Sequence, residues 1–136
     1  MRFFKHKEVG ILETTLLKKG QLEADISKAI TKWEKEFLGR GPLQVKTDIL
    51  RNMIIVHLKG ILTPAERELS KTEAGMISIK KNRADLIEAG NHHLREIIHS
   101  STGVTVDSFH TDISTRNAER IIVFILKENL EKQLTE

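Results

Sequence analysis

His110 and Asp112 stand two residues apart in a segment that alternates weakly between apolar and polar side chains. On a strand, residues i and i+2 share a face, so this imidazole and this carboxylate point the same way. The pair suits a histidine oriented by a carboxylate, or two ligands of a metal ion. A metal site needs at least one more ligand, and the candidate, His57, belongs to a different hairpin. His92, His93 and His99 fall on a predicted helix with no two at i,i+4 spacing. We expect no metal and no cofactor, and we expect Asp112 to pair with Arg83 instead.

Three further polar positions invite chemistry. Arg40, in Gly39-Arg40-Gly41-Pro42, can grip an anion through its guanidinium fork. That segment follows a helix and precedes a strand, so its amides do not form a helix N-terminus, and a helix cap followed by a rigid turn explains it equally. Thr63-Pro64-Ala65-Glu66 has the spacing of a capping box. The Thr63 oxygen can accept from the Glu66 amide, the Glu66 carboxylate from the Thr63 amide, and Pro64 suits the first helical position. Arg83 sits where a helical stripe calls for a hydrophobe. A buried guanidinium needs a carboxylate or carbonyls, with Asp112 expected first and Glu66 second; an Arg snorkelling from the edge of the stripe is the alternative. The sequence carries no G-x-G-x-x-G, Walker loop, H-E-x-x-H, G-x-S-x-G or EF-hand pattern.

The elements that must position these residues are legible from periodicity. Leu22, Ile26, Ile30, Trp33 and Phe37 form one helical stripe, so a helix is predicted from about Gly20 to Leu38, with Trp33 in the core. Glu23, Lys28, Lys32, Glu34 and Lys35 are placed off that stripe. Gly39 can end the helix and Pro42 prevents it resuming. Leu43, Val45, Thr47 and Ile49 alternate with polar residues as a half-buried strand. A turn at Arg51-Asn52 leads to a second strand, Met53 to Leu58, with His57 on its solvent side. Helical potential then runs from Thr63 to about Ser100. That is too long for one helix in a small domain, so a break is predicted near Thr72 to Gly75. Gly90 within the second helix implies close approach of another backbone. A second hairpin follows, with strands at Val104 to Ile113 and Arg120 to Leu126, and Leu130 and Leu134 suit a short terminal helix.

Composition bounds the function. The 136 residues suit one domain, and 39% apolar with 30% charged is a globular balance. With no Cys, disulfides and thiolate chemistry are excluded. The longest uncharged apolar run, Ile121 to Leu126, is far too short to span a membrane, so we expect no transmembrane segment. The net charge of +3 resides in residues 1–20, while residues 21–136 carry 17 basic and 17 acidic side chains. A neutral body argues against a nucleic-acid partner. Residues 1–19 read as a basic leader or arm lacking the features of a signal peptide, and residues 20–136 as one α+β domain.

Several segments together resemble a known family. They are Gly39-Arg40-Gly41-Pro42, then Leu58 to Glu66, Thr102-Gly103, His110-Thr111-Asp112-Ile113, and the strand through Val123, Phe124 and Leu126. From about Gln21 to Leu130 the chain is similar to the MpsC-like domain. The resemblance marks Arg40, Thr63, Glu66, Arg83, His110 and Asp112 as recurrent polar positions. It implies association with a sodium-translocating, membrane-potential-generating system linked to bicarbonate uptake, without implying a catalytic activity for this domain.

The expected fold is α+β in the order α-β-β-α-α-β-β-(α). Two hairpins form a four-stranded antiparallel sheet, with helices packed on one face. The leading functional expectation is a non-enzymatic cytoplasmic accessory subunit that reaches the membrane through transporter subunits. A second is a small-anion (bicarbonate-like) binding or catalytic domain using Arg40, Arg83, His110 and Asp112, which requires those side chains to converge in one cavity. A third, less favoured, is a nucleic-acid-binding regulator. Because the last strand is apolar on both faces and helices cover only one, a homodimer is expected to cover the other.

Overall fold

The computed structural model describes residues 2–135, and their side chains from Lys18 onward. Five helices and four strands follow one another as α1 (Arg2–Leu38), β1 (Gln44–Leu50), β2 (Met53–Lys59), α2 (Pro64–Leu69), α3 (Glu73–Ala89), α4 (Asn91–Thr102), β3 (Val106–Ser114), β4 (Glu119–Leu126) and α5 (Leu130–Gln133). All strands lie in one antiparallel sheet of order β1-β2-β4-β3. The α+β order and the one-sided helical layer are those expected from periodicity.

Side-chain parity separates the two faces of the sheet. On the inner face, Thr47, Ile49, Ile54, Val56, Leu58, Ile122, Phe124 and Leu126 are buried together. They pack against Ile26, Ile30 and Trp33 of α1, Ile79 and Ile87 of α3, and Leu94 and Ile98 of α4. The doubly apolar β4 is central, as its composition requires. The edges are managed by side chains. Glu23 on α1 accepts from the Ile49 amide on β1 at 2.8 Å, and Arg95 on α4 donates to the Val106 carbonyl on β3 at 3.2 Å.

Four local expectations are corrected. The first helix begins at Arg2, not near Gly20. Once a packed segment has nucleated a helix, each further residue adds a hydrogen bond without a new nucleation cost, so a periodic stripe is not needed. The predicted leader is thus helical in its backbone, while its side chains through Leu17 lie outside the described residues. Leu43 precedes β1 and is 78% exposed, because its side chain lies across Gly60 and not under the helices. The stretch from Thr63 to Thr102 holds three helices. The break at Thr72 is as expected, with Thr72 accepting from the Gly75 amide at 3.0 Å. A second break falls at Gly90.

Gly90 is the fourth correction. The group that approaches it is the Trp33 ring, not a backbone: a Cβ there would lie 2.3 Å from Trp33 Cζ2. Trp33 in turn stacks on Phe37, with centroids 5.1 Å apart. Gly90 has φ −90°, which any residue adopts, so it is the Trp33 ring, with Phe37 Cε1 at 3.3 Å behind it, that excludes a side chain. We expect Gly90→Ala to destabilise the fold by about 1–3 kcal/mol in denaturant titration, despite the better helix propensity of Ala. Combined with Trp33→Phe, which clears Cζ2, the two changes should cost less than their sum. Simple additivity would overturn this account of the break.

Candidate functional site

The densest polar constellation lies where β2 leaves the sheet. Gly60, at φ +67°, turns the chain, and Ile61 and Leu62 are buried. Thr63 then caps α2 as the sequence predicts. The Glu66 amide donates to Thr63 Oγ1 at 3.1 Å and the Thr63 amide to Glu66 Oε1 at 3.0 Å. Arg83 reaches across from α3. Its Nε donates to Glu66 Oε2 at 3.1 Å and its Nη2 to Glu66 Oε1 at 2.7 Å. The same Nη2 also donates to the Ile61 carbonyl at 2.8 Å. Arg40 Nη1 holds the next carbonyl, Leu62 O, at 2.6 Å. Two guanidinium groups therefore grip consecutive carbonyls of one loop.

Electrostatics follow from this packing. Burial alone would push the Glu66 carboxyl up, but the hydrogen bonds from Arg83 and Thr63 outweigh it and hold the group below the usual carboxylate range. Arg83 is buried and Glu66 partly so. The capping box and the ion pair are thus one structure, with both carboxylate oxygens occupied.

Two more charged side chains are buried beneath the helices, with no ion pair between them. Glu34 on α1 and Arg120 on β4 are 1% and 2% exposed. Arg120 Nη1 donates to Thr111 Oγ1 at 2.8 Å. Glu34 Oε1 and Arg120 Nη2 are buried without a hydrogen bond among the described residues. Burial pushes the Glu34 carboxyl up, against the pull of Arg120 and Arg83, and burial likewise pushes the Arg120 guanidinium down. The sequence reading missed these two and placed Glu34 off the stripe. The available signal was spacing: Ile26, Ile30 and Glu34 fall at successive i+4 positions on one face.

Arg40, Thr63, Glu66 and Arg83 therefore come together, and His110 and Asp112 do not join them. By register both fall on the opposite, helix-free face of the sheet and are exposed, while Asp112, on the edge strand, also lines a cavity with Lys80, Lys81 and Arg120. Asp112 is not the partner of Arg83. Its Oδ1 accepts from the Ile113 amide at 2.8 Å. His57 shares that open face, with Nε2 2.8 Å from Glu119 Oε2, and this contact draws the Glu119 carboxyl below its usual range. The convergence required of a pocket using Arg40, Arg83, His110 and Asp112 is absent. Among the described residues no three His, Asp or Glu side chains cluster as metal ligands.

Comparison with known proteins gives the following. Residues 18–128 match the family described as "Na+-translocating membrane potential-generating system (MpsC)". The chain is similar to the uncharacterized protein YbcI of Bacillus subtilis, 57% identical over 116 residues, covering 85% of this chain and 94% of that one. It is also similar to the uncharacterized protein YrhF of the same organism, 24% identical over 110 residues, covering 80% and 90%. No solved structure gives a significant match.

Two expected outcomes follow from the charged layer. Arg83→Ala leaves Glu66 partly buried without its partner, and we expect a loss of roughly 3 kcal/mol in denaturant titration. Arg83→Lys should restore only part, since an ammonium cannot make the forked contact. An unchanged midpoint for Arg83→Ala would refute the clamp. For Glu34, the folded value lies above the ordinary 4.5, so the folded chain holds that proton more tightly than the unfolded one. Its contribution is full below that ordinary value and declines as pH rises through the raised one. Glu66 has the opposite sign: its contribution is present above the ordinary value and fades as pH falls through the lowered one. The stability of wild type relative to Glu34→Gln should therefore shrink as pH rises from about 4.5 toward neutrality. A difference that stays constant over that window would contradict it.

Proposed function

The chain belongs to the MpsC family, and we propose that it is a non-enzymatic accessory subunit of a Na+-translocating, membrane-potential-generating system linked to bicarbonate uptake. On this reading it works at the cytoplasmic side, as a homodimer, and meets the membrane through transporter subunits. The family match over residues 18–128 carries the reading, because it spans β1 to β4 and every helix between them. Two features of the chain support it. Moving an ion through hydrocarbon requires a membrane-spanning path, and among the described residues no helix is long and apolar enough to cross a membrane. The reading assigns that path to a partner. The most elaborate polar cluster, moreover, spends its hydrogen bonds on its own loop: the Glu66 oxygens, the Arg83 fork and the Arg40 Nη1 are all engaged internally. Such a cluster stiffens a surface and offers no poised nucleophile or acid–base pair.

The test is cellular. Tagged protein recovered from native membranes should bring down a polytopic membrane protein. Deleting the gene should lower membrane potential and inorganic-carbon uptake in cells that depend on the system. Unchanged potential and uptake in the deletion strain would overturn the reading.

A further inference from the structure

The helix-free face of the sheet carries an organised pattern. Its centre is apolar, formed by Met53 and Ile55 on β2 and by Ile121, Val123 and Ile125 on β4. No described element covers it, and Ile121 and Leu50 remain 38% and 39% exposed. Polar residues flank the apolar centre in rows set by the strand register. One row reads Asp48, Ile55, Val123, His110 across β1, β2, β4 and β3. The next reads Lys46, His57, Ile121, Asp112, and the last Gln44, Lys59, Glu119, Ser114.

We infer that this face packs against the same face of a second copy, about a two-fold axis that runs parallel to the strands between β2 and β4. Such an axis lays β1 of one protomer over β3 of the other, and β2 over β4, each row facing itself reversed. Lys46 then faces Asp112, Lys59 faces Glu119, and the Asp48 carboxylate faces an N–H donor on His110. Ile55 meets Val123, and Met53 meets Ile125. Lys46, Lys59 and Asp48 each lie over an opposite charge or a hydrogen-bond partner, four of the five central apolar residues lie over one another, and the His57 ring lies over Ile121. Because the contact is isologous, each match occurs twice. An axis across the strands does not do this, for it lays Lys59 and Glu119 over Met53 and Ile125. Two sheets packed face to face lie about 10 Å apart with their strands aligned to within roughly 30°, which leaves these long side chains within reach. The face measures roughly 19 Å by 24 Å, so two of them together approach the ~1,000 Å² of a specific contact.

Lys46 and Asp112 make this register testable. Neither has an ion-pair partner among the described residues. They stand on opposite edge strands, three strand spacings or roughly 14 Å apart, so they cannot compensate one another within a single chain. The inference deepens the homodimer part of the proposed function and is independent of the transport role, which the deletion strain reads separately.

The experiment is sedimentation equilibrium on the full chain. Wild type should be a dimer at micromolar concentration. Val123→Glu places a charge at the centre of the face without touching the core, and should give a folded monomer with an unchanged circular dichroism spectrum. Lys46→Glu and Asp112→Lys should each weaken the dimer by about tenfold or more, because like charges then face one another twice. The double variant Lys46→Glu/Asp112→Lys should recover most of the wild-type affinity. A wild-type monomer would overturn the inference, as would a dimer indifferent to Val123→Glu. Failure of the double variant to recover would place the axis elsewhere and overturn it equally.

Discussion

One guanidinium ties the helical layer to the sheet. Arg83 projects from α3, and its head meets the Glu66 carboxylate at the start of α2 and the Ile61 carbonyl just beyond β2. Removing such a group from water is costly, and the cost is met only when the hydrogen-bonding capacity is satisfied in good geometry. That requirement propagates. Glu66 must sit at the third position of α2, which demands the cap at Thr63. Thr63 must leave β2 at a fixed angle, which Gly60 supplies with its left-handed turn. The charge on Arg83 also reaches Glu34 on α1, so three helices and one strand exit share a single electrostatic arrangement.

The chain shows two contrasting ways of handling charge. At the loop, Glu66 is paired and capped, and its proton affinity falls. Under α1, Glu34 is buried with no ion-pair partner among the described residues, and its proton affinity rises despite the pull of Arg120 and Arg83. The first arrangement gains stability by ionising, while the second is strained by it. Both lie within one helical layer, between the sheet and solvent, where interactions are stronger than in water and mismatches cost more.

Periodicity made the architecture legible, because strands and helices impose different spacings on their buried side chains. Val45, Thr47 and Ile49 announce a half-buried strand, and the doubly apolar Ile121–Leu126 segment announces one that is central or covered by another chain. The capping box was legible to the atom, since it depends on residues three apart in a local geometry. Long-range partners were not. Choosing Asp112 over Glu66 for Arg83 required knowing which face of β3 would look inward, and a one-residue shift of parity decides that. Thr111 and Ile113 turn inward, so Asp112 turns out. The charge of Glu34 masks its i+4 relation to Ile30, which is what places it in the buried stripe. The break at Gly90 depended on a ring 57 positions away in the chain, and no local pattern reports that.

The same parity argument separates the roles of the six polar positions that the family resemblance singles out. A sheet one residue thick cannot place neighbouring side chains of a strand in one compartment. Arg83 and Glu66 belong to the inner layer with the helices, whereas His110 and Asp112 belong to the outer face with His57 and Glu119. The six side chains therefore do not meet at one centre. What remains is a division of labour. The inner set holds the helices to one side of the sheet, and that leaves the other side bare, with its charges displayed at the margins of an apolar centre.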